Sequence, residues 1–391
     1  MRIAIIASIS ETLLLLQREQ IALLVSKGHQ VHCIAAPLSW FKQEEIPGAT
    51  FHPVPFQRKV APFSDLRCFA QLIFLFLSFR PDAICYSTPK AAFLASCAGF
   101  VARVPRRIYL HRGILYCLGR AGEWIFRLLD LVACFFSHMV ISASESNRKF
   151  LIKNRICAAD KVRLLGKGSS HGVHAREIFN PEIVSRDAIA QVRARFDIRE
   201  DDIVAGFVGR MVRDKGIIEL VDALRMVSAE SDRIHLLIVG PDIEPRDRLP
   251  ESCIDAVKKT KIIHLAGSQR EMALWYAAMD FLVLPSHREG FPNAVLEAAA
   301  MEKPAIASDS LGCIDSVVDE KTGLIFRVGD AKALAGKMRM FINDRNARVT
   351  MGKNARQRVL RDFDPEIINR EFVQVIEGCA VEKSDNEAKA Q

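Results

Sequence analysis

Short, nearly continuous apolar runs recur along the first half of the chain. "RIAIIA" (2–7), "QVHCIA" (30–35), "DAICYS" (82–87), "RRIYL" (106–110) and "HMVIS" (138–142) are rich in Ile, Val and small apolar residues. Runs of this length and composition predict strands buried on both faces. Between them lie stretches of helical pattern, such as "TLLLLQREQIALLVSKG", whose Gly28 falls where a glycine closes a helix. Strand alternating with helix predicts βαβ units and a parallel sheet covered on both sides. From 166 to about 200 the rhythm stops: "GKGSSHGVHAREIFNPE" and a polar helical stretch contain no strand. A second series follows, "IVAGFVG" (203–209), "RIHLLIVG" (233–240), "KIIHLAG" (261–267), "DFLVLP" (280–285) and "KPAIAS" (303–308). The expected fold is α/β, with two doubly wound, parallel-sheet, Rossmann-like domains facing a cleft. Its divisions are 1–177 for the N-terminal domain, 178–200 for a linker, 201–362 for the C-terminal domain, and 363–391 for a C-terminal helix and frayed polar tail.

A length of 391 residues suits two such domains. "MRIAIIASIS" reads as a first strand and not as a secretory signal. The apolar runs 69–79 and 128–142 are too short or too polar to cross a bilayer, so no transmembrane helix is expected. Residues 64–79 fit an ordinary core helix or a membrane-facing one equally well. The ten cysteines are scattered singly, without a Cys-x-x-Cys pair, as expected of reduced thiols in a cytoplasm and not of a zinc site or disulfide frame. Charge does change the picture. Residues 1–180 hold 23 Lys+Arg against 11 Asp+Glu, while the whole chain carries +8. The first half therefore faces something anionic: nucleic acid, a phosphorylated substrate or a membrane surface.

Open parallel sheets hold ligands at the carboxyl ends of their strands. After "IVAGFVG" comes "RMVRDKG", which sets Arg210 at a strand end and Lys215 beside a helix start, a pairing suited to an anion. After "DFLVLP" comes "SHREGFPNAVLEAAAME". "GFPN" brings backbone close to a ligand, and a helix beginning near Pro292 or Asn293 points N–H groups at it. Glu289 and Glu297 are acceptors only, suited to sugar or ribose hydroxyls. Taken alone, each of these is equally an ordinary surface charge.

Together, "VGRMVRDKGI" and "PSHREGFPNAVLEAAAMEKPAIASDSLGCIDSVVDEKTGLIFRVGD" resemble the retaining, nucleotide-sugar-dependent glycosyltransferases of family four, which have the GT-B fold. The resemblance implies that Arg210 and Lys215 hold the donor diphosphate, with Glu289 on the donor sugar and Glu297 on the ribose. It assigns donor contacts to Gly290, Phe291, Pro292, Asn293, Ala294 and Val295. "RKVAPFSDL", "RPDAICYSTPKAAFLASCAGFVARVPRRIYLHRG" and "KVRLLGKGSSHGV" are similar to the subgroup that builds capsule and O-antigen polysaccharides. That subgroup implies a UDP-sugar donor, an undecaprenyl-diphosphate-linked saccharide acceptor, and a cytoplasmic enzyme peripheral to the inner face of the cell membrane. His111 matches the histidine that faces the donor sugar. Two departures stand out. The loop after the first strand, "ASISETLL", lacks glycine, leaving Ser8, Ser10 or Thr12 to offer hydroxyls; and "HGVH", with His171 and His174, replaces the usual "NGVD".

Absent motifs narrow the classes. No Asp-x-Asp stands at a strand end (the one occurrence, Asp362–Asp364, lies in the C-terminal segment), so no metal is expected at the diphosphate, and there is no G-x-G-x-x-G or G-x-x-x-x-G-K-[ST] for a dehydrogenase or P-loop NTPase. No cofactor is expected beyond the nucleotide-sugar substrate. A nucleic-acid surface would need a recognised module or interleaved stacking aromatics, and neither is visible. The alternatives are a non-catalytic nucleotide-sugar binder and a transferase with a non-lipid acceptor. Arg58, Lys59, Arg103, Arg106 and Arg107 are the candidate contacts to an anionic leaflet.

Overall fold

The computed structural model describes residues 1–38, 45–57, 61–231, 233–241 and 247–378. The chain divides into two compact units. The first is Met1–His171 with the C-terminal helix Pro365–Glu377; the second is Gly172–Asp364.

The first unit contains β1 (Arg2–Ile9), β2 (Gln30–Ala36), β3 (Ala49–Pro53), β4 (Ala83–Ser87), β5 (Arg106–His111), β6 (Met139–Ser142) and β7 (Val162–Arg163), in the order β3-β2-β1-β4-β5-β6-β7. The second contains β8 (Ile203–Val208), β9 (Ile234–Val239), β10 (Ile263–Gly267), β11 (Phe281–Leu284), β12 (Ala305–Ser308) and β13 (Gly323–Phe326), in the order β10-β9-β8-β11-β12-β13. Every pairing is parallel. Both sheets are doubly wound, as expected, and every strand read from the sequence is present. The strand order reverses between β1 and β4 in one sheet and between β8 and β11 in the other. These are the points where open α/β sheets take ligands.

Several details differ from the sequence reading. The helix expected over 12–28 is two, Ser10–Leu16 and Arg18–Ser26, broken at Gln17 where φ is −136°. Residues 178–200 include the helix Arg186–Ala194, which packs on Met272–Ala278 and belongs to the second unit. The last helix, by contrast, completes the first unit. Its Ile368, Phe372 and Ile376 share a core with Ile21 and Leu24, and Glu371 accepts the Gly166 N–H at 2.6 Å.

One helix among the described residues, Pro62–Phe79, is long and apolar enough to cross a membrane, where none was expected. It does not span in this fold. It joins β3 to β4, which lie in one sheet, and Cys68, Leu72 and Phe76 on one side of it are fully buried. Its other side is exposed. Arg58 and Lys59 lie outside the described residues. Arg106 and Arg107 turn inward, bonding the carbonyls of Ile376 (3.1 Å) and Phe136 (2.7 Å). Of the cations expected at a leaflet, Arg103 is the one left exposed among the described residues.

Candidate active site

In the second unit two loops meet at the switch point. After β8 the chain passes exposed Arg210, makes a tight turn over Arg213–Lys215, and enters the helix Ile217–Ser228 through Gly216. Gly216 has φ +72°, and a Cβ there would lie 2.1 Å from the Pro285 carbonyl oxygen. Only glycine lets this turn press against the end of β11.

The loop leaving β11 is tied to that turn by side chains of opposite charge. Lys215 Nζ donates to Glu289 Oε1. Arg288 Nε donates to Asp214 Oδ2 at 2.9 Å, and the His287 ring pairs with Glu219 at 2.9 Å. The His287 N–H bonds the Asp214 carbonyl at 2.8 Å. The loop after β12 supports the far side. Ser308 and Ser310 both donate to the Ser286 carbonyl (2.5 and 2.7 Å), and the Glu289 N–H reaches Leu311 O at 2.8 Å. Gly312, at φ +80°, is needed because a Cβ would fall 2.4 Å from Glu289 O. Glu289 is thus positioned through both its backbone and its carboxylate. Burial raises the Glu219 pKa, but the His287 hydrogen bond, a backbone hydrogen bond and the His287 charge together outweigh this and hold it below the ordinary value.

The helix expected near 292 is Asn293–Ala300, with Pro292 before it. Within Gly290–Val295, the Phe291 ring packs on Phe363 and Val295 is buried in the core. A contact from Val295 to a ligand therefore falls to its backbone. Glu297 is part-buried on this helix, and Tyr276 donates to its Oε2 at 2.7 Å. Burial pushes its carboxyl above the ordinary range, and the tyrosine bond partly counters that.

The remaining predicted residue lies in the first unit. His111 ends β5 and is buried, with Nε2 3.0 Å from Asp130 Oδ2; Tyr109 donates to the other oxygen at 2.7 Å. Its Nδ1 has no hydrogen-bond partner among the described residues. Neighbouring Arg112 likewise keeps Nε and Nη2 unpartnered among the described residues, and burial pulls its pKa down to about 10. A buried cation with spare donors suits an anionic ligand. Two of the three hydroxyls expected after β1 have partners. Ser8 pairs with Thr88 at 2.6 Å, Ser10 accepts the Leu38 N–H at 3.2 Å, and a helix follows β1 without a loop. His174 sits 3.7 Å from Glu177.

The second unit therefore brings together Arg210, Lys215, Glu289 and Gly290–Glu297 around two strand ends, and His111 is buried in the first unit. Sequence reading missed Asp214, Glu219, Tyr276, His287, Arg288 and Asp130. Three of these six, Asp214, His287 and Arg288, lie within the quoted motifs, but their partners are far away in sequence.

Residues 189–358 match the family described as Glycosyl transferases group 1, and residues 18–168 match Glycosyltransferase Family 4. The chain is 32% identical over 358 residues to the capsular polysaccharide biosynthesis glycosyltransferase CapM of Staphylococcus aureus, covering 91% of this chain and 92% of that protein. The chain belongs to the group 1 glycosyltransferases. The transferase is also 26% identical to the N,N'-diacetylbacillosaminyl-diphospho-undecaprenol alpha-1,3-N-acetylgalactosaminyltransferase of Campylobacter jejuni, over 80% of this chain and 81% of that one. Among solved structures it resembles Anabaena HepE in complex with UDP and glucose, with TM-score 0.80, 18% identity, and coverage of 97% of this chain and 100% of that one. Sucrose-phosphate synthase of Thermosynechococcus elongatus gives TM-score 0.77 at 20% identity, covering 96% of this chain and 98% of that one. These likenesses show the GT-B fold.

Proposed function

We propose that this transferase moves a sugar, with retention of anomeric configuration, from a UDP-sugar onto an undecaprenyl-diphosphate-linked saccharide during surface-polysaccharide assembly. The observation that carries the reading is the Lys215–Glu289 pair beside Arg210, at the carboxyl ends of β8 and β11. It sets a cation for the diphosphate next to an acceptor for sugar hydroxyls. Arg210 and Lys215 neutralise charge that grows on the leaving diphosphate, so their contacts count for rate as well as binding. Glu289 accepts from the donor sugar and Glu297 from the ribose. No resident metal is required in this scheme, and the departing diphosphate takes the acceptor proton.

The acceptor class follows the activity for which the Campylobacter relative is named, the polymer class that of CapM, and the nucleotide the UDP held by HepE. The enzyme then works at the cytoplasmic face of the membrane. Incubation with lipid-linked saccharides and a panel of UDP-sugars, read by mass spectrometry, tests this. One sugar should add to the lipid-linked product and be lost in Arg210→Ala. Transfer only to water-soluble acceptors would overturn the acceptor assignment.

A further inference from the structure

Several buried polar atoms of the first unit are left unused by its own fold. β4 and β5 pair Cys85 with Ile108 and Ser87 with Leu110, so these four share one face of the sheet. Cys85, Ile108 and Leu110 pack there against Leu13, Ile21 and Leu24. Arg112 follows Leu110 in the same alternation, just past the end of β5. Arg112 and Cys85 also influence each other's ionisation, which sets the guanidinium on this face. The helix Arg18–Ser26 covers the face, and Gln17 at its cap is buried together with Gln20, Ile21 and Leu24. Gln20 donates to the Ser170 carbonyl at 2.9 Å and so ties the loop after β7 to this helix.

Three side chains here lack hydrogen-bond partners among the described residues: Arg112 at Nε and Nη2, Gln17 at both ends of its amide, and Ser87 at its hydroxyl. Gln17 is 1% exposed and Ser87 is fully buried. Such groups cost stability when unpaired, and native folds seldom keep them without a use. Which Arg112 atoms are spare decides the ligand. Nε–H and one N–H of Nη2 run parallel along one edge of the guanidinium, the fork that meets two oxygens of a single phosphate or carboxylate. Among the described residues no carboxylate balances its charge. The helix Pro89–Val101 starts two residues after Ser87 and adds the positive end of its dipole.

We propose that Arg112, with Gln17 and Ser87, forms an oxyanion subsite within the first unit, separate from the Arg210 and Lys215 cations of the second. A phosphate or carboxylate group of a substrate lies side-on against Arg112 Nε and Nη2. The Gln17 amide and the Ser87 hydroxyl donate to its remaining lone pairs. That the anion belongs to a substrate rests on the transferase reading above; the subsite itself does not.

The test titrates the full chain, labelled with nitrogen-15, with inorganic phosphate and separately with acetate, against chloride at matched ionic strength. The Arg112 Nε–H signal, identified by its loss in Arg112→Lys, should shift saturably with one of the two anions, which names the group. Arg112→Lys keeps the charge without the fork, and its anion-dependent rise in Tm should need about tenfold or more anion. Without an anion, Arg112→Met should melt no lower than the parent, because it removes an unpaired buried charge. With the anion, only the parent should gain Tm beyond the general effect of the salt. In turnover, Arg112→Lys should raise one KM and leave the other, and the one that rises shows whether acceptor or sugar donor brings the anion. An Nε–H signal indifferent to both anions overturns the subsite. So does Arg112→Met melting well below the parent with an undiminished anion response, the result expected if solvent alone satisfies the guanidinium. Two unchanged KM values overturn the substrate role. A parent chain inactive with every UDP-sugar counts instead against the transferase reading, and the titration still decides the subsite.

Discussion

Lys215 and Glu289 are bonded to each other before any donor arrives, so their contributions to turnover cannot be independent. Replacing Lys215 by Ala removes a cation from the growing charge of the diphosphate, a loss of about 2.7–4 kcal/mol, or 100- to 1,000-fold in rate, by analogy with a lost oxyanion donor. It also removes the Lys215 charge that offsets the Glu289 carboxylate close to that diphosphate. Two unit charges about 4 Å apart interact by about 4 kcal/mol at an effective dielectric near 20. The side chains here remain 20% and 14% exposed, and a donor sits further away than contact distance. About 1–2 kcal/mol of extra repulsion is then a fair figure. Glu289→Gln alone should lower turnover through the sugar contact. In the Lys215→Ala background the same change relieves the repulsion, so the double variant should be about 1–2 kcal/mol better than the sum of the single ones. The assay is kcat/KM for the donor across the four proteins, each checked by thermal melting. Additivity within about 0.5 kcal/mol would refute the coupling. Near-normal turnover in Lys215→Ala would refute the diphosphate role altogether.

Glu297→Gln should weaken uridine or UDP affinity about tenfold or more, since a charge-assisted hydrogen bond is worth roughly 1.5–3 kcal/mol; unchanged calorimetric affinity contradicts the ribose assignment. Burial raises the Glu297 carboxyl in the folded protein, so its ionised form, and uridine affinity with it, grows as pH rises through a midpoint above the ordinary 4.5. Tyr276→Phe removes the bond that lowers that carboxyl, and the midpoint should move further up; a fixed midpoint rules this out. Gly216→Ala should cost about 2–4 kcal/mol through strained φ and collision with Pro285, seen as a lower Tm, and should depress activity by displacing Lys215. Asp130→Asn presents an amide to His111 or Tyr109, forcing a change of tautomer or an unpaired buried donor. Nitrogen NMR shifts of His111 should change and stability should fall by about 1–3 kcal/mol.

The interior strands could be read from sequence because each is flanked by neighbours and covered by helices, which demands an unbroken apolar run. The strands that escaped, β3, β7 and β13, are all sheet edges. An edge strand pairs on one side only and is kept short, so "ATFHP", "VR" and "GLIF" give little pattern to find. The same limit applies to the site. Arg210, Lys215, Glu289 and Glu297 were recognisable as residue types at strand ends. Asp214 and Arg288 stood beside them in the same motifs, but their pairing spans 74 residues and exists only because β8 and β11 are neighbours. The polar neighbours of Ser8 and Ser10 also come from distant chain, and this is why these two hydroxyls, which looked available after β1, already have partners.

The first unit is discontinuous in sequence, and this sets an order on its making. Its core takes Ile368, Phe372 and Ile376 from the helix Pro365–Glu377, while the second unit, Gly172–Asp364, is one unbroken stretch. A ribosome releases the second unit whole before the first has its last helix. At roughly 5–20 residues per second, the partner surface on Ile21 and Leu24 waits on the order of 10–40 s for the segment that covers it. During that interval the nascent chain exposes an apolar face that the finished protein hides. A holdase in the cell, or a lower growth temperature in expression, should therefore affect yield far more than it affects the stability of the purified enzyme.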